Sequence, residues 1–268
     1  MIHHSLGHSL IFFVTHYMGF IMIHLRRLLT LSFCTCMYFI GALSAVEDSL
    51  DNSFLNGQET LYISLGSDCQ VAHYSRLAEV RKGTFPFDWM LTVNTSSVSR
   101  LIRDNFEYSL EEGFFEKHSM YDHVMVNNYY GIEYRHEWTS DLGTDFSNYK
   151  ERMEDIQLKY QRRVERFSRL ADYKGKVFFI RVAFNPKLDS NMKSLPKEQL
   201  SITHADAVEL RDAIKERFPN LDFKLVIANY TEVMKAPLNV EGVLEFKLSR
   251  LNDEKGILDM FNQLKNIE

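Results

Sequence analysis

Short apolar runs alternate with amphipathic segments through the last third of the chain. Residues 177–184, 223–228 and 243–246 form apolar runs of strand length, and helical spacing predicts helices over 205–217 and 255–265. Strands that alternate with helices predict an α/β domain with a mainly parallel sheet flanked by helices. Apolar strands of this kind suit burial on both faces of such a sheet.

The earlier part of the chain is less regular. We predict a strand over 61–65, which Gly66 ends, and helices over 70–81, 98–106 and about 148–171. The stretch 113–138 is dense in Phe, Tyr, His and Asn but has no clean period, so no element is predicted there. Four arginines of the long helix favour a solvated charged face, with an anion-binding site as the alternative: Arg162, Arg163, Arg166 and Arg169.

The N-terminal segment has the composition of a targeting sequence. The first 46 residues contain no Asp or Glu, and Arg26 and Arg27 precede an apolar run that ends in small residues over 41–45. These are the parts of a secretory signal peptide, with Met22 as a candidate start. The alternative is an N-terminal membrane anchor, because residues 9–23 are apolar as well. The run over 28–43 is short for a membrane span, which needs about 20 apolar residues.

We therefore divide the chain into a leader over 1–45, a polar linker over 46–60 and a single α/β domain over 61–268. The leader predicts export to the periplasm, the cell exterior or a lumen, and association with a membrane through this segment is the alternative. The hydrophobic content of 45% and charged content of 25% are typical of globular proteins. The formal net charge of -5 argues against a nucleic-acid partner.

The positions of the three cysteines single out one candidate for a catalytic thiol. Cys34 and Cys36 fall in the predicted leader, so its removal leaves Cys69 as the single thiol of the chain. Cys69 follows a strand and a Gly-containing turn at the start of a helix, where backbone N–H groups and the helix dipole favour an anion. Such a setting lowers a thiol pKa, so Cys69 is a candidate nucleophile. The alternative is a small buried core residue.

A thiol nucleophile needs a base, and five histidines lie outside the leader: His73, His118, His123, His136 and His204. His73 lies four residues after Cys69 on the same helix face, whereas His136 is better placed to approach across a cleft. Tyr134 or Trp138 would shield such a pair from water.

Asp88 is an acid among aromatic residues in the sequence FPFDW over 85–89. It either orients a histidine or caps a turn. The spacing of the histidines and acids in the region 118–136 matches no known metal site, so we expect neither a metal nor another cofactor.

Three segments resemble a family of unknown function described as papain-like cysteine peptidases. They are SLGSDCQVA over 64–72, FPFDW over 85–89 and YGIEYRHEW over 130–138. The resemblance covers about residues 60–250 and implies that Cys69 is the nucleophile and His136 the general base. It leaves the third catalytic group open among Asp88, Asp141, Asp145 and Asn185. Papain-like peptidases pair a helical half with an antiparallel β half, whereas the last third of this chain predicts β/α alternation.

Three functions remain as hypotheses. The first is a thiol-dependent hydrolase that acts on a peptide or another acyl substrate through Cys69 and His136. The second is a serine hydrolase of the GDSL-like class using Ser67, although that class begins with Gly-Asp-Ser and this chain has Gly66-Ser67-Asp68. The third is a non-enzymatic domain that binds an envelope component or a glycan, with the aromatic residues over 114–138 as a stacking platform.

Overall fold

The computed structural model describes residues 52–119, 124–137, 149–184, 200–234, 236–250 and 253–267, all within the unit Glu47–Glu268. The predicted leader over 1–45 lies outside these residues. Within them, no helix has both the length and the apolar character that crossing a membrane requires.

The described residues contain both α-helices and β-strands. In chain order they are β1 (Leu61–Ser64), α1 (Gln70–Leu77), β2 (Met90–Leu91), α2 (Thr95–Arg103), β3 (Phe115–Lys117), β4 (Met125–Asn127), β5 (Ile132–Tyr134), α3 (Tyr149–Ser168), β6 (Val177–Val182), α4 (His204–Arg217), β7 (Phe223–Tyr230), β8 (Val243–Leu248) and α5 (Glu254–Leu264). Short 3-10 turns cover Asn52–Asn56, Pro86–Trp89, Glu112–Phe114 and Arg169–Asp172.

The larger sheet is parallel throughout, with the strand order β1-β6-β7-β8. All six residues of β6 are buried, because this strand lies inside the sheet with a layer of protein on each face. Helices α1 and α5 pack against each other, as do α2 and α4. The predicted α/β domain with a mainly parallel sheet flanked by helices is confirmed.

A second sheet is antiparallel, with the order β2-β5-β4-β3. Most of it lies in the stretch 113–138, where the sequence predicted no element. Its strands have only two or three residues each, which is too short for an alternating pattern to appear. Pairing with neighbouring strands therefore defines them more than their own sequence does.

Helix α3 confirms the long predicted helix, but the prediction for its arginines is wrong at two positions. Arg163 and Arg166 are buried, with 0% and 2% of their surface exposed, whereas Arg162 and Arg169 face solvent as predicted. Arg166 donates to Asn52 Oδ1 over 2.5 Å and to the backbone oxygen of Thr84. These two arginines therefore hold the helix against the rest of the domain.

Part of the predicted linker packs on the domain. Leu55 is buried, and the ring of Phe54 meets the ring of Phe85 at a centroid distance of 6.4 Å. The hydroxyl of Tyr173 donates to the backbone oxygen of Glu59. Residues 52–60 are thus in contact with both the Pro86–Trp89 turn and the end of α3.

Candidate functional site

Cys69 lies between β1 and α1, at the carboxyl edge of the parallel sheet. It is the N-cap residue of α1, with φ -75° and ψ -1°, and its side chain is half-buried. The N–H of His73 donates to the oxygen of Cys69 over 2.9 Å, which closes the first turn of the helix. Open α/β sheets bind ligands outside the carboxyl ends of their strands, so this edge is the expected place for a site.

Gly66 allows the turn before Cys69 to lie close against the segment that follows β2. Its φ of +77° is a left-handed conformation, and a Cβ there would come within 2.4 Å of Thr92 Oγ1. The N–H of Thr92 donates to the oxygen of Ser67 over 2.9 Å. The turn before Cys69 and the segment around Thr92 are therefore in direct contact.

Arg181 of β6 joins the same two segments from inside the protein. Only 1% of its surface is exposed, and its guanidinium donates to Leu65 O at 2.8 Å, Thr92 Oγ1 at 2.9 Å, Thr92 O at 2.6 Å, Val93 O at 3.2 Å and Thr95 Oγ1 at 3.2 Å. Burial lowers the pKa of Arg181 to about 10, and the charges of Asp206 and Asp68 act in the opposite direction. The guanidinium therefore stays a cation at neutral pH.

Asp68 is a buried carboxyl directly before the candidate nucleophile, with 8% of its surface exposed. Oδ1 accepts a hydrogen bond from the N–H of Gln70 over 2.8 Å. Oδ2 is buried and has no hydrogen-bond partner among the residues that the structure describes. Burial raises the pKa of Asp68 to about 6, although the Gln70 hydrogen bond and the charges of Arg181 and Arg135 act to lower it.

The thiol of Cys69 is held in its protonated form. Burial raises its pKa to about 12, and the neighbouring charge of Asp68 adds to this effect, while a backbone hydrogen bond and the charge of Arg135 oppose it. The expectation of a lowered pKa at this position is wrong, because desolvation and the neighbouring carboxylate of Asp68 raise it. Any attack by this sulfur therefore needs a base that removes the proton during the reaction.

His136 follows β5 and lies beside the Pro86–Trp89 turn. Its half-buried ring meets the ring of Trp89 edge to face, with a centroid distance of 5.3 Å and an interplanar angle of 74°. The charge of the preceding residue, Arg135, acts to lower the pKa values of both Asp68 and Cys69, which indicates that the end of β5 is close to the turn before Cys69. Glu133 binds Arg135 through contacts of 2.7 and 2.8 Å.

Glu137 anchors the chain directly after His136. It is buried, it pairs with Lys159, and Arg163 lies 3.7 Å from its Oε1. Burial by itself would raise the pKa of Glu137, but the charges of Lys159 and Arg163 outweigh it and lower the pKa. Helix α3 therefore fixes the position of the segment that carries the histidine.

Asp88 caps the 3-10 turn and pairs with an arginine. Its Oδ2 accepts from the N–H of Phe85 over 2.8 Å and from Arg81 over 2.9 Å, and the carboxyl is buried. The guanidinium of Arg81 lies over the ring of Trp89 at 5.7 Å. Asp88 is thus connected to His136 through Arg81 and Trp89.

The other sequence candidates are spread over the domain. His73 is exposed on α1, the Nε2 of His118 lies 4.0 Å from Glu133, and the Nδ1 of His204 lies 2.6 Å from the oxygen of Leu238. Tyr134 is buried and donates to the oxygen of Ser109 over 2.6 Å. The remaining candidates lie outside the described residues: His123, Trp138, Asp141, Asp145 and Asn185.

The described part of the chain also bears on the two alternative functions. Ser67 has only 1% of its surface exposed, so its hydroxyl is less accessible than the Cys69 thiol. Two aromatic residues of the proposed stacking platform pack on each other, because the ring centroids of Tyr129 and Phe114 are 4.9 Å apart. The ring of Tyr129 also packs on Tyr108, which lies outside the platform, at a centroid distance of 4.8 Å. No set of three His, Cys, Asp or Glu side chains suited to a metal ion occurs among the residues with described positions.

The sequence analysis did not predict that four further residues lie around Cys69 and His136: Asp68, Trp89, Arg135 and Arg181. Asp68 and Arg135 directly precede Cys69 and His136, so their position in the motifs was a signal. Arg181 is the single charged residue in the apolar run over 177–184, which is the mark of a buried charge with a specific task.

The sequence comparisons agree with these motifs. A family model described as "Putative papain-like cysteine peptidase (DUF1796)" matches residues 60–233. An uncharacterized protein of Acanthamoeba polyphaga mimivirus is 30% identical in an alignment of 142 positions, and this alignment covers 48% of this chain and 64% of that protein. The chain thus spans less than two thirds of the length of that relative. No solved structure matches the chain significantly.

Proposed function

We propose a thiol-dependent hydrolase as the function of this chain, which belongs to the family described as "Putative papain-like cysteine peptidase". In this proposal Cys69 is the nucleophile, His136 is the general base and Asp88 is a positioning residue. The substrate is a peptide or another acyl compound. Family membership supports the general class of reaction, and the geometry of the described residues supports these particular roles.

The observation that carries the proposal is the meeting of three sequence motifs at one edge of the sheet. The β1–α1 turn holds Cys69, and it contacts Thr92 just beyond the Pro86–Trp89 turn. The end of β5 acts on Cys69 through the charge of Arg135 and contacts Trp89 through the ring of His136. Segments separated by up to about 70 residues are therefore neighbours around the thiol.

The high thiol pKa defines the order of proton transfers. His136 takes the thiol proton as the sulfur attacks the carbonyl carbon of the substrate, and a tetrahedral intermediate forms. The imidazolium then gives this proton to the leaving group as the carbon–heteroatom bond breaks, which leaves an acyl thioester on Cys69. Water, deprotonated by His136, hydrolyses the thioester and restores the thiol.

Asp88 acts on this chemistry through two other side chains. It fixes Arg81, whose guanidinium lies over the indole of Trp89, and the indole in turn contacts the ring of His136. A shift of the indole would move the imidazole relative to the thiol. We therefore expect Asp88 to influence the base without contacting the substrate.

The location of this activity is part of the same proposal. Residues 1–45 act as a signal peptide that directs the domain over 61–268 to the periplasm, the cell exterior or a lumen. The net charge of -5 supports a small acyl or peptide partner over a nucleic acid.

The test is acetyl transfer from 4-nitrophenyl acetate to the full chain, followed by mass spectrometry of the Cys69 peptide. The wild type should release 4-nitrophenol and carry one acetyl group on Cys69. Cys69→Ala should lose both signals, and His136→Ala should lower the rate by about 10²–10⁴-fold, the usual contribution of a general base. Asp88→Asn should lower the rate less and shift its pH profile, which a purely structural role would leave in place.

His73→Ala is the matched control, because His73 lies on the same helix one turn after Cys69 and is exposed. It should keep the wild-type rate. Acetylation of Ser67 in place of Cys69 would support the serine hydrolase instead. A wild-type rate in both Cys69→Ala and His136→Ala would refute the thiol mechanism.

A further inference from the structure

Two buried polar atoms in the candidate site have no hydrogen-bond partner among the described residues: Asp68 Oδ2 and Trp89 Nε1. One can only accept a hydrogen bond in its ionised form, and the other can only donate one. A buried polar group without a partner destabilises the fold by about 1–3 kcal/mol. Native proteins seldom keep such groups without a purpose, and a ligand that pairs with them is one such purpose.

Each atom belongs to a side chain that adjoins one of the two proposed reacting groups. Asp68 directly precedes Cys69 on the β1–α1 turn, and its charge acts on the thiol. Trp89 lies on the Pro86–Trp89 turn, where its ring contacts His136. A substrate that Cys69 attacks with His136 as the base therefore lies close to one unpaired acceptor and one unpaired donor.

We propose that Asp68 and Trp89 bind the scissile group of the substrate and make the site selective for amides over esters. The inference rests on the proposed thiol hydrolase. The indole N–H of Trp89 donates to the carbonyl oxygen, where negative charge develops in the tetrahedral intermediate. Asp68 Oδ2 accepts the N–H of the same amide.

The geometry of an amide fits this pair of groups. A trans amide points its N–H and its C=O in opposite directions, so one group can meet an acceptor and a donor placed on either side. An ester offers the carbonyl oxygen to Trp89 but has no hydrogen for Asp68. Its binding leaves a buried carboxylate unpaired, and sites built to bind an N–H discriminate strongly against analogues that lack it.

The charge state of Asp68 adds a pH dependence. Burial raises its pKa to about 6, so the carboxyl becomes a donor below this pH. The groups whose charges interact with Asp68 keep one charge state between pH 5 and 8. The pKa of Arg181 is about 10, and Arg135 stays a cation, so both remain positively charged. The pKa values of Cys69 and Tyr74 are about 12, and the pKa of Tyr230 is raised further, so these three groups remain neutral. The preference for amides should therefore decline as the pH falls through about 6.

The experiment compares 4-nitroacetanilide with 4-nitrophenyl acetate, which share the acetyl group and differ by N–H and O at the scissile bond. The quantity measured is the ratio of kcat/KM for the anilide to kcat/KM for the ester. Dividing the ratio of a variant by that of the wild type removes the intrinsic difference in reactivity. Asp68→Asn keeps the acceptor for Gln70 and puts a donor in place of Oδ2, so the ratio should fall at least tenfold.

Two further variants separate the roles. Trp89→Phe should lower kcat/KM for both substrates by a similar factor and leave the ratio unchanged, because both substrates have the carbonyl oxygen. Asp259→Asn, which removes an exposed carboxylate on α5, is the control for loss of one negative charge and should change neither constant. The wild-type ratio should fall between pH 7 and pH 5, and the Asp68→Asn ratio should stay constant.

The outcomes distinguish the two proposals. Absence of Cys69-dependent turnover with the ester would refute the thiol hydrolase and, with it, this inference. Turnover of the ester through Cys69, with a ratio that Asp68→Asn does not change, would refute the amide selectivity and leave the hydrolase in place.

Discussion

The parallel sheet and the antiparallel sheet of this domain differ in strand length and in what the strand ends carry. Strand β6 buries all six of its residues, and β7 runs for eight residues, whereas β2 to β5 have two or three each. Yet Trp89, Arg135 and His136 all flank the short strands. The edge of the long strands therefore carries Cys69, and the ends of the short strands carry the other proposed site residues.

The two sheets meet at the turn that precedes Cys69. Arg181 extends from the parallel sheet to the segment after β2, and Gly66 lets that segment approach closely. The site therefore depends on the junction between the sheets as well as on either sheet alone. Substitutions that weaken each part of the junction show how much that part contributes to the stability of the domain.

The largest effect is expected for Arg181→Met. The change leaves the oxygens of Leu65, Thr92 and Val93 without the donor that now binds them, in a place that water does not reach. We expect the free energy of unfolding to fall by about 3–5 kcal/mol in total, because each buried acceptor left without a donor costs about 1–3 kcal/mol. Urea unfolding at pH 7 measures this change.

Arg103→Met is the matched control, because Arg103 binds Glu209 and Glu216 at the surface with 34% of its side chain exposed. Surface pairs contribute about 0–1 kcal/mol, so this variant should remain near the wild type. Equal losses in the two variants would show that the junction is no more important than a surface ion pair.

An intermediate effect is expected for Asp68→Asn, and it depends on pH. Folding raises the pKa of Asp68 from 3.8 to about 6, so the folded state binds this proton more tightly than the unfolded state. The stability due to the protonated carboxyl is complete below pH 3.8 and is lost as the pH rises through about 6. One pKa unit corresponds to about 1.4 kcal/mol, so the loss amounts to about 2–3 kcal/mol.

Asparagine does not titrate and escapes this loss. The stability of Asp68→Asn relative to the wild type should therefore increase by about 2–3 kcal/mol between pH 4 and pH 8, measured by urea unfolding at both values. Asp259→Asn, at an exposed position, should show no such trend. A relative stability of Asp68→Asn that is constant over this range would mean that Asp68 is not buried as a carboxylate at neutral pH.

The two sheets also differ in how far the sequence predicted them. Strand β6 was predicted because its apolar residues form a run that only a buried strand or helix tolerates. The strands β3 to β5 were missed because three residues are too few for a period, and contacts with neighbouring strands fix them. Cys69 and His136 are proposed from the motifs around them, whereas the unpaired state of Asp68 Oδ2 depends on burial in the folded domain, which no motif reveals.

The smallest effect is expected from a comparison of two glycines, one in each part of the molecule. Gly66 precedes Cys69 and Gly131 lies in the β4–β5 hairpin, and both have a positive φ, of +77° and +67°. A Cβ at Gly131 would meet nothing within 4 Å, so Gly131→Ala should lower the free energy of unfolding by only the conformational amount of about 1–2 kcal/mol. Gly66→Ala adds a contact of 2.4 Å with Thr92 Oγ1, and this overlap should add about 1–2 kcal/mol.

The difference between the two alanine variants isolates the close approach of the sheets, because the backbone term is common to both. Thermal or urea unfolding gives this difference, and the rate of Cys69 alkylation by iodoacetamide reports the position of the turn. Gly66→Ala should change the alkylation rate and Gly131→Ala should not, since Cys69 lies three residues after Gly66 on the same turn. Equal stability and equal alkylation in the two variants would mean that Thr92 moves away from the added Cβ at no cost in stability.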